Sequence, residues 1–343
     1  MTYKISKSLF FLSMIWALLS CSTVVNQYVT DNQSTLTTLA ETITETSLQA
    51  QMELFPELPR HVLDARSSHV AVEENIRQQM EAYGYDVSTQ NVTWNYNSSS
   101  YSMNNIIVKK TGSNPSNRPI IISAHWDTVQ NSPGIVDNAS GCVAMLEVAR
   151  LLQGQTTVED IYFVFYAFEE VYYEENNSRI FLGSQTYLNE LKSQNSNPKL
   201  VINMDMIAYT TDKEPEPNAI SWAIDWPTVG NHIFVFGLKS YTETSIKMAS
   251  LAKNWIPNLK FHSMNVSLEQ VQSKDIFSSL QRSDHYTYWK ENINTIFITN
   301  SDLRFPHYHE TTDTKDKVDY TFLKRVTQWI FYVSYLESNN NLI

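Results

Sequence analysis

The run IYFVFYAF, residues 161–168, is apolar at every position. A strand with no polar side cannot lie against water, so it must be covered on both faces. That requirement selects layered folds in which helices sandwich a sheet. Further β-rich or apolar runs occupy 104–109, 119–124, 200–207 (LVINMDMI), 232–238 (HIFVFGL) and 295–299 (TIFIT). Between them, residues 72–83, 138–152, 181–192, 241–254 and 318–336 read as helices; Cys142, Leu146 and Ala149 share one side, as do Phe322, Val326, Trp329 and Val333. Gly84 and Gly154 stop two of these helices. The alternation predicts an α/β three-layer sandwich, its central sheet mixed and mostly parallel. The Pro- and Trp-bearing segment 211–231 reads as a long loop roofing the site.

The first 20 residues are of another kind. Lys4 and Lys7 precede LFFLSMIWALL, too short to span a bilayer comfortably, as in a signal peptide. The segment ends Leu18-Leu19-Ser20-Cys21, which resembles a bacterial lipobox; that resemblance implies cleavage before Cys21 and its lipidation. With Ser22 following, it implies a lipid anchor at Cys21 in the outer membrane of a bacterial envelope; the alternative is an ordinary secretory leader and a periplasmic or secreted chain. Residues 21–50, rich in Thr, Ser and Asn, read as a tether. No repeat and no linker follows residue 60, so residues 51–343 are expected to form one catalytic domain.

The formal charge of −11 and the lack of a basic run argue against a nucleic-acid partner. An acidic face is compatible with a cationic substrate such as a peptide's free amine. The two cysteines, Cys21 and Cys142, are not expected to pair, and Cys142 reads as a small buried residue.

The chemistry lies at the ends of the strands. His125 and Asp127 follow IIISA; Glu169 and Glu170 follow FVFYAF; Asp205 follows LVINM; Asp137 opens a helix and His309 lies in YHETTDT. In open α/β sheets, ligands bind beyond the carboxyl ends of strands. Taken singly, an acid pair is usually a solvated face and a lone histidine a structural group; their placement together suits a hydrolytic site with two zinc ions. Asp137 is the best candidate for a bridge. His125 and Asp205 would complete one ion, Glu170 and His309 the other, although the pattern alone does not fix this pairing. Glu169 should point away from its neighbour and serve as general base. Asp127 is a candidate to orient His125, Asp313 to orient His309, and Asp284 of SDH is a further supporting carboxylate.

HWDT, GxxDNASG, FEE followed by LGS, NMDM, RSDH and YHxxxDT occur in an order that resembles the co-catalytic di-zinc aminopeptidases, metallopeptidase family twenty-eight, over roughly residues 60–335. The resemblance implies a zinc-exopeptidase-like fold, zinc ligands at His125, Asp137, Glu170, Asp205 and His309, Glu169 as general base, and release of the N-terminal residue of a peptide substrate. Three departures stand out. VYYEENNSRIFL between Glu170 and Gly183 is longer than in many members and suggests an acidic, aromatic rim. Asn292-Ile293-Asn294 replaces Gly-Ile-Pro. Leu280, Gln281 and Arg282 stand where some members carry an oxyanion-steadying tyrosine, which leaves Arg282 as a substitute. The pocket for the first side chain has no assignment. The rivals are a glutaminyl cyclase on the same fold, against which the intact DNASG argues, a carboxypeptidase-like member, and a non-catalytic binding lipoprotein, against which the filled positions argue.

Overall fold

Every apolar run singled out above becomes a strand, because each is buried on both sides. The structure is a computed structural model and describes residues 33–171, 173–175, 178–213, 227, 229–273, 276–300 and 305–340. Its strands are β1 (Val87–Tyr96), β2 (Ser99–Lys110), β3 (Ile120–His125), β4 (Ile161–Tyr166), β5 (Tyr173–Glu175), β6 (Ser178–Ile180), β7 (Leu200–Met204), β8 (Ile233–Leu238), β9 (Phe261–Val266) and β10 (Thr295–Thr299). The helices are α1 (33–40), α2 (Glu45–Met52), α3 (His69–Ala82), α4 (Ser140–Gln153), α5 (Leu182–Ser193), α6 (Thr242–Trp255), α7 (Leu268–Gln272), α8 (His285–Trp289) and α9 (Tyr320–Ser338).

Eight strands form one sheet in the order β1-β2-β4-β3-β7-β10-β8-β9, while β5 and β6 pair separately. The four central strands run parallel, β4 beside β3, β3 beside β7 and β7 beside β10. β2 and β8 flank them antiparallel, so the sheet is mixed around a parallel centre. Alternate residues serve opposite layers. Ile120, Ile122 and Ala124 of β3 share a core with Cys142, Leu146, Trp329 and Val333 of α4 and α9. Ile121 shares another with Val164, Tyr187, Leu188 and Tyr288, under α5 and α8. This is the expected three-layer arrangement.

Two features of the connectivity place the site. The parallel strands end at one edge, so whatever follows β3, β4 and β7 gathers there. The crossover after β3 leads to β4 on one side, and the crossover after β4 returns to β7 on the other. Their loops therefore part over the end of β3, where a crevice forms.

The tether expected over 21–50 is shorter than the composition suggests. Leu36, Ala40, Ile43 and Leu48 are buried in the same core as α9, so the packed body begins before residue 51. Their apolar spacing supplies a face for the body that the surrounding Thr and Ser conceal. Residues 1–32, including Cys21, lie outside the described residues. Strand β9 has no counterpart in the sequence reading, because FHSMNV is an edge strand of mixed polarity. The 104–109 run is part of a longer strand in the hairpin β1–β2, which turns through Asn97 and Ser98 at φ 49° and 60°, the left-handed pair that a type I′ hairpin turn requires. The ends of the 211–231 loop meet through Thr211 N–H donating to Gly230 O (3.0 Å); residues 214–226 and 228 lie outside the described residues.

Candidate metal centre

β3 delivers His125 as its last residue, almost fully buried. The turn Ile135–Ala139 then brings Asp137 back over the strand end before α4 begins. Gly134 opens this turn at φ +59°, and a Cβ there would lie 2.3 Å from Asp137 O, so no other residue fits comfortably. The Asp137–Asn138 peptide is cis. Gly141 lets α4 start against β3, since a Cβ would come within 2.9 Å of Ala124 Cβ.

β4 ends at Tyr166, and the chain turns through Phe168 at φ 56° to present Glu169 and Glu170. β7 ends at Met204; Asp205 follows, then Met206 at φ 52°. His309 itself has φ 62°. Left-handed conformations are costly for side chains of this size, and they concentrate where surroundings over-determine a functional geometry.

The site residues converge. His125 Nε2 lies 3.3 Å from Asp137 Oδ1 and 3.6 Å from Asp205 Oδ1. His309 Nε2 lies 3.5 Å from Asp137 Oδ2 and 3.2 Å from Glu170 Oε2. Asp137 thus presents one oxygen to each imidazole. Glu169 Oε2 stands 3.9 Å from His125 Nε2. Ligand atoms of His125, Asp137 and Glu170 lie within 4.8 Å of one another, as do those of His125, Glu169 and Asp205. Proximity alone therefore does not choose the partners of each ion. The shorter imidazole contacts associate Asp205 with His125 and Glu170 with His309.

These contacts are not hydrogen bonds. Among the described residues, His125 Nδ1 and Nε2, His309 Nε2, Glu169 Oε1 and Asp205 Oδ1 are buried without a hydrogen-bond partner. Unsatisfied polar atoms are expensive to bury. Two ligands of a tetrahedral ion with bonds of 2.0–2.1 Å stand about 3.3 Å apart. The imidazole–carboxylate separations have that size, so the donor set fits such a cation.

The electrostatics agree. Burial opposes charge on His125, but Glu169, Asp127, Asp137 and Asp205 outweigh it and hold the imidazole pKa well above its ordinary value. Burial, then the charge of Glu170, pushes Asp137 up to about 6. Burial, reinforced by Glu170, Asp205 and Asp284, holds Glu169 well above the usual carboxylate range although His125 opposes it. Burial also raises Asp205, and the His125 imidazole more than offsets that. A cation relieves this crowding of acids.

The supporting carboxylates act through the backbone. Asp127 Oδ1 lies 3.6 Å from His125 Nδ1, and its two oxygens accept the N–H groups of Glu169 (3.2 Å) and Glu170 (3.1 Å). Asp313, read as an orienting partner of His309, is bonded elsewhere: Oδ1 accepts Val136 N–H at 2.8 Å and Oδ2 accepts Asp137 N–H at 3.1 Å. Four residues of sequence separation suggested His309, but the turn carries Asp313 under the aspartate loop. Asp284 is fully buried with neither oxygen hydrogen-bonded among the described residues, and burial pushes it up to about 7.

Other residues of the site escaped the sequence reading as individuals. Asn138 Nδ2 donates to Met204 O at 2.8 Å, and its Oδ1 accepts from Gly141 and Met206, tying the Asp137 turn to the Asp205 strand. It stands inside DNASG, the one signal that marks it. Arg60 is buried, its guanidinium donating to the carbonyls of Trp126, Pro133 and Gly134 and bracing the loop between His125 and Asp137. Nothing near Arg60 in the sequence announces that role. The Cys142 thiol donates to His125 O at 3.3 Å; burial pushes its pKa up to about 12, which suits packing and not attack.

The sequence pattern of peptidase family M28 matches residues 105–334, more than half of the chain and the span that carries these side chains. The chain belongs to peptidase family M28. A curated relative is the uncharacterized protein YfbL of Escherichia coli K12, 29% identical over 229 residues, covering 63% of this chain and 66% of YfbL. Another is the probable lipoprotein aminopeptidase LpqL of Mycobacterium tuberculosis, 26% identical, covering 65% of this chain and 43% of LpqL. The chain thus spans slightly under two thirds of the first and less than half of the second. Among solved structures, the Legionella pneumophila LapA aminopeptidase superposes with a TM-score of 0.67 at 18% identity, covering 90% of this chain and 74% of LapA. At that identity the likeness shows that this M28 chain shares the fold.

Proposed function

We propose that this M28 chain is a zinc-dependent aminopeptidase with two ions. The observation that carries the reading is Asp137, shared between two imidazoles at separations that match ligands of a tetrahedral ion. His125 and Asp205 would hold one zinc and Glu170 and His309 the other, with Asp137 between them. When bound, zinc supplies a Lewis acid that polarises a carbonyl and acidifies water.

The chain's own part is proton handling and placement. Glu169 is buried beside the proposed ligands, its Oε1 engaged by no hydrogen bond among the described residues. It takes the proton of the attacking water and returns it to the departing amine, so the leaving group departs neutral. Its burial keeps it basic enough for the first step. Asp127 fixes the Glu169–Glu170 backbone, so base and ligand are aimed together. The acids around the site favour a substrate's free amine, which directs cleavage to the N-terminal residue.

The single domain with its leader and lipid anchor belongs to the same proposal. It is supported by the lipobox-like Leu18-Leu19-Ser20-Cys21 and by the name of LpqL. No helix among the described residues is long and apolar enough to cross a membrane.

The test uses the mature chain with zinc supplied and peptides beginning with Leu, Arg, Glu or Gln. Loss of one N-terminal residue by mass spectrometry, abolished by a chelator, is the expected result. Loss of ammonia alone from the Gln peptide would make the chain a cyclase, and loss of the last residue a carboxypeptidase.

A further inference from the structure

One cation stands at the acidic site without an acid of its own. Arg282 is exposed, and among the described residues no carboxylate pairs with it. Its Nη2 donates to Tyr308 Oη at 2.9 Å, and its guanidinium carbon lies 5.4 Å from the centre of that ring. Tyr308 stacks on His309 with ring centres 3.7 Å apart and planes at 24°. On the other side, Ser283 accepts a hydrogen bond from Asn203, two residues before Asp205, at 3.3 Å. Arg282 is therefore held between the strand that leads into one proposed ligand and the loop that carries another.

The donors of this pair face one need. A guanidinium has five N–H groups in a planar fork, and the contact with Tyr308 uses one of its nitrogens. Tyr308 Oη, already accepting from Arg282, has its own O–H to donate, and no acceptor for it occurs among the described residues. An N–H fork beside an O–H complements the two oxygens of a carboxylate. The surrounding acids would repel a substrate's negative group at any place not screened by such a cation.

We propose that Arg282, oriented by Tyr308, is a specificity-determining residue that binds a carboxylate on the leaving side of the scissile bond. It rests on the aminopeptidase reading for that orientation, since the free amine occupies the acidic side. The carboxylate comes from one of two sources, the C-terminus of a dipeptide or the side chain of an acidic second residue.

The probe is a dipeptide analogue with its peptide bond reduced to CH₂–NH, which the holoenzyme cannot hydrolyse. Leu-Gly in this form is compared by calorimetry with its C-terminal amide, and the Leu-Glu α-amide with the Leu-Gln α-amide, on the zinc-loaded chain. The acid of at least one pair should bind roughly 10-fold tighter than its neutral partner, as expected for a charge-assisted hydrogen bond. The pair that shows the preference identifies the source. Added salt should shrink the preference. Arg282→Gln should erase it while leaving affinity for the amides unchanged, and Tyr308→Phe should reduce it. Equal binding within both pairs on the native chain would overturn the proposal. So would an Arg282→Gln variant that weakens acid and amide alike, because that is the signature of a merely structural residue. Turnover of Leu-Gly amide is read separately: no release of leucine would sink the aminopeptidase reading, while the affinity ratio would still decide the subsite.

Discussion

Asp313 holds Asp137 by its backbone: Oδ2 accepts the Asp137 N–H at 3.1 Å, while Oδ1 accepts the neighbouring Val136 N–H at 2.8 Å. The proposed bridging carboxylate is thus aimed by a second carboxylate that touches neither imidazole within hydrogen-bond range. Replacing Asp313 with Ala leaves two buried amides without an acceptor. At about 1–3 kcal/mol for each such group, stability should fall by about 2–6 kcal/mol. Zinc affinity should fall about 10- to 100-fold, the usual effect of losing a partner behind the ligands. Denaturant unfolding and a competitive metal titration check the two effects.

Glu169 separates chemistry from metal binding. Glu169→Gln keeps the shape and removes the basic oxygen, so turnover should drop about 10²- to 10⁴-fold. Zinc content, measured by elemental analysis, should stay at the native value. Near-native turnover would sink the base assignment, and loss of zinc would make Glu169 a ligand.

The metal-free protein should become less stable as the solution turns from acid to neutral. Burial raises Asp137 to about 6 and Asp284 and Asp313 to about 7, from 3.8. The folded state then binds more protons than the unfolded one between about pH 4 and 7, so stability falls as pH rises through that window. His125, raised by its carboxylate neighbours, extends the fall above pH 6.5. Asp205 is lowered, and its opposite contribution lies below pH 3.8. Zinc should flatten the profile, since the cation stabilises the ionised acids. Melting temperatures across pH, with chelator and with zinc, test this; parallel profiles would contradict it.

The N-terminal helices should be required for folding. A chain starting at residue 51 exposes the groove that Leu36, Ala40, Ile43 and Leu48 fill. Large apolar losses cost about 2–5 kcal/mol each, against a total stability of about 5–15 kcal/mol. That chain should lack a cooperative melt, whereas one starting at residue 33 should fold. Equal melts would return residues 33–50 to the tether.

The sequence by itself determined the layers and named the acids. Apolar runs such as IYFVFYAF have one solution, burial between helices, and strand-end residues such as His125 and Asp205 must then meet at one edge. Local patterning encodes both, so both were legible. What it could not show was which groups touch. Asp313 sits four residues from His309 yet serves Asp137, and Arg60 braces a loop more than 65 residues away. The tether's length was misjudged for the same reason, because Leu36 and Ile43 gain their meaning only from α9 packed against them. The tertiary structure decided these matters. Hydrogen bonds and packing between distant segments depend on where the crossovers return the chain, and neither periodicity nor spacing carries that information.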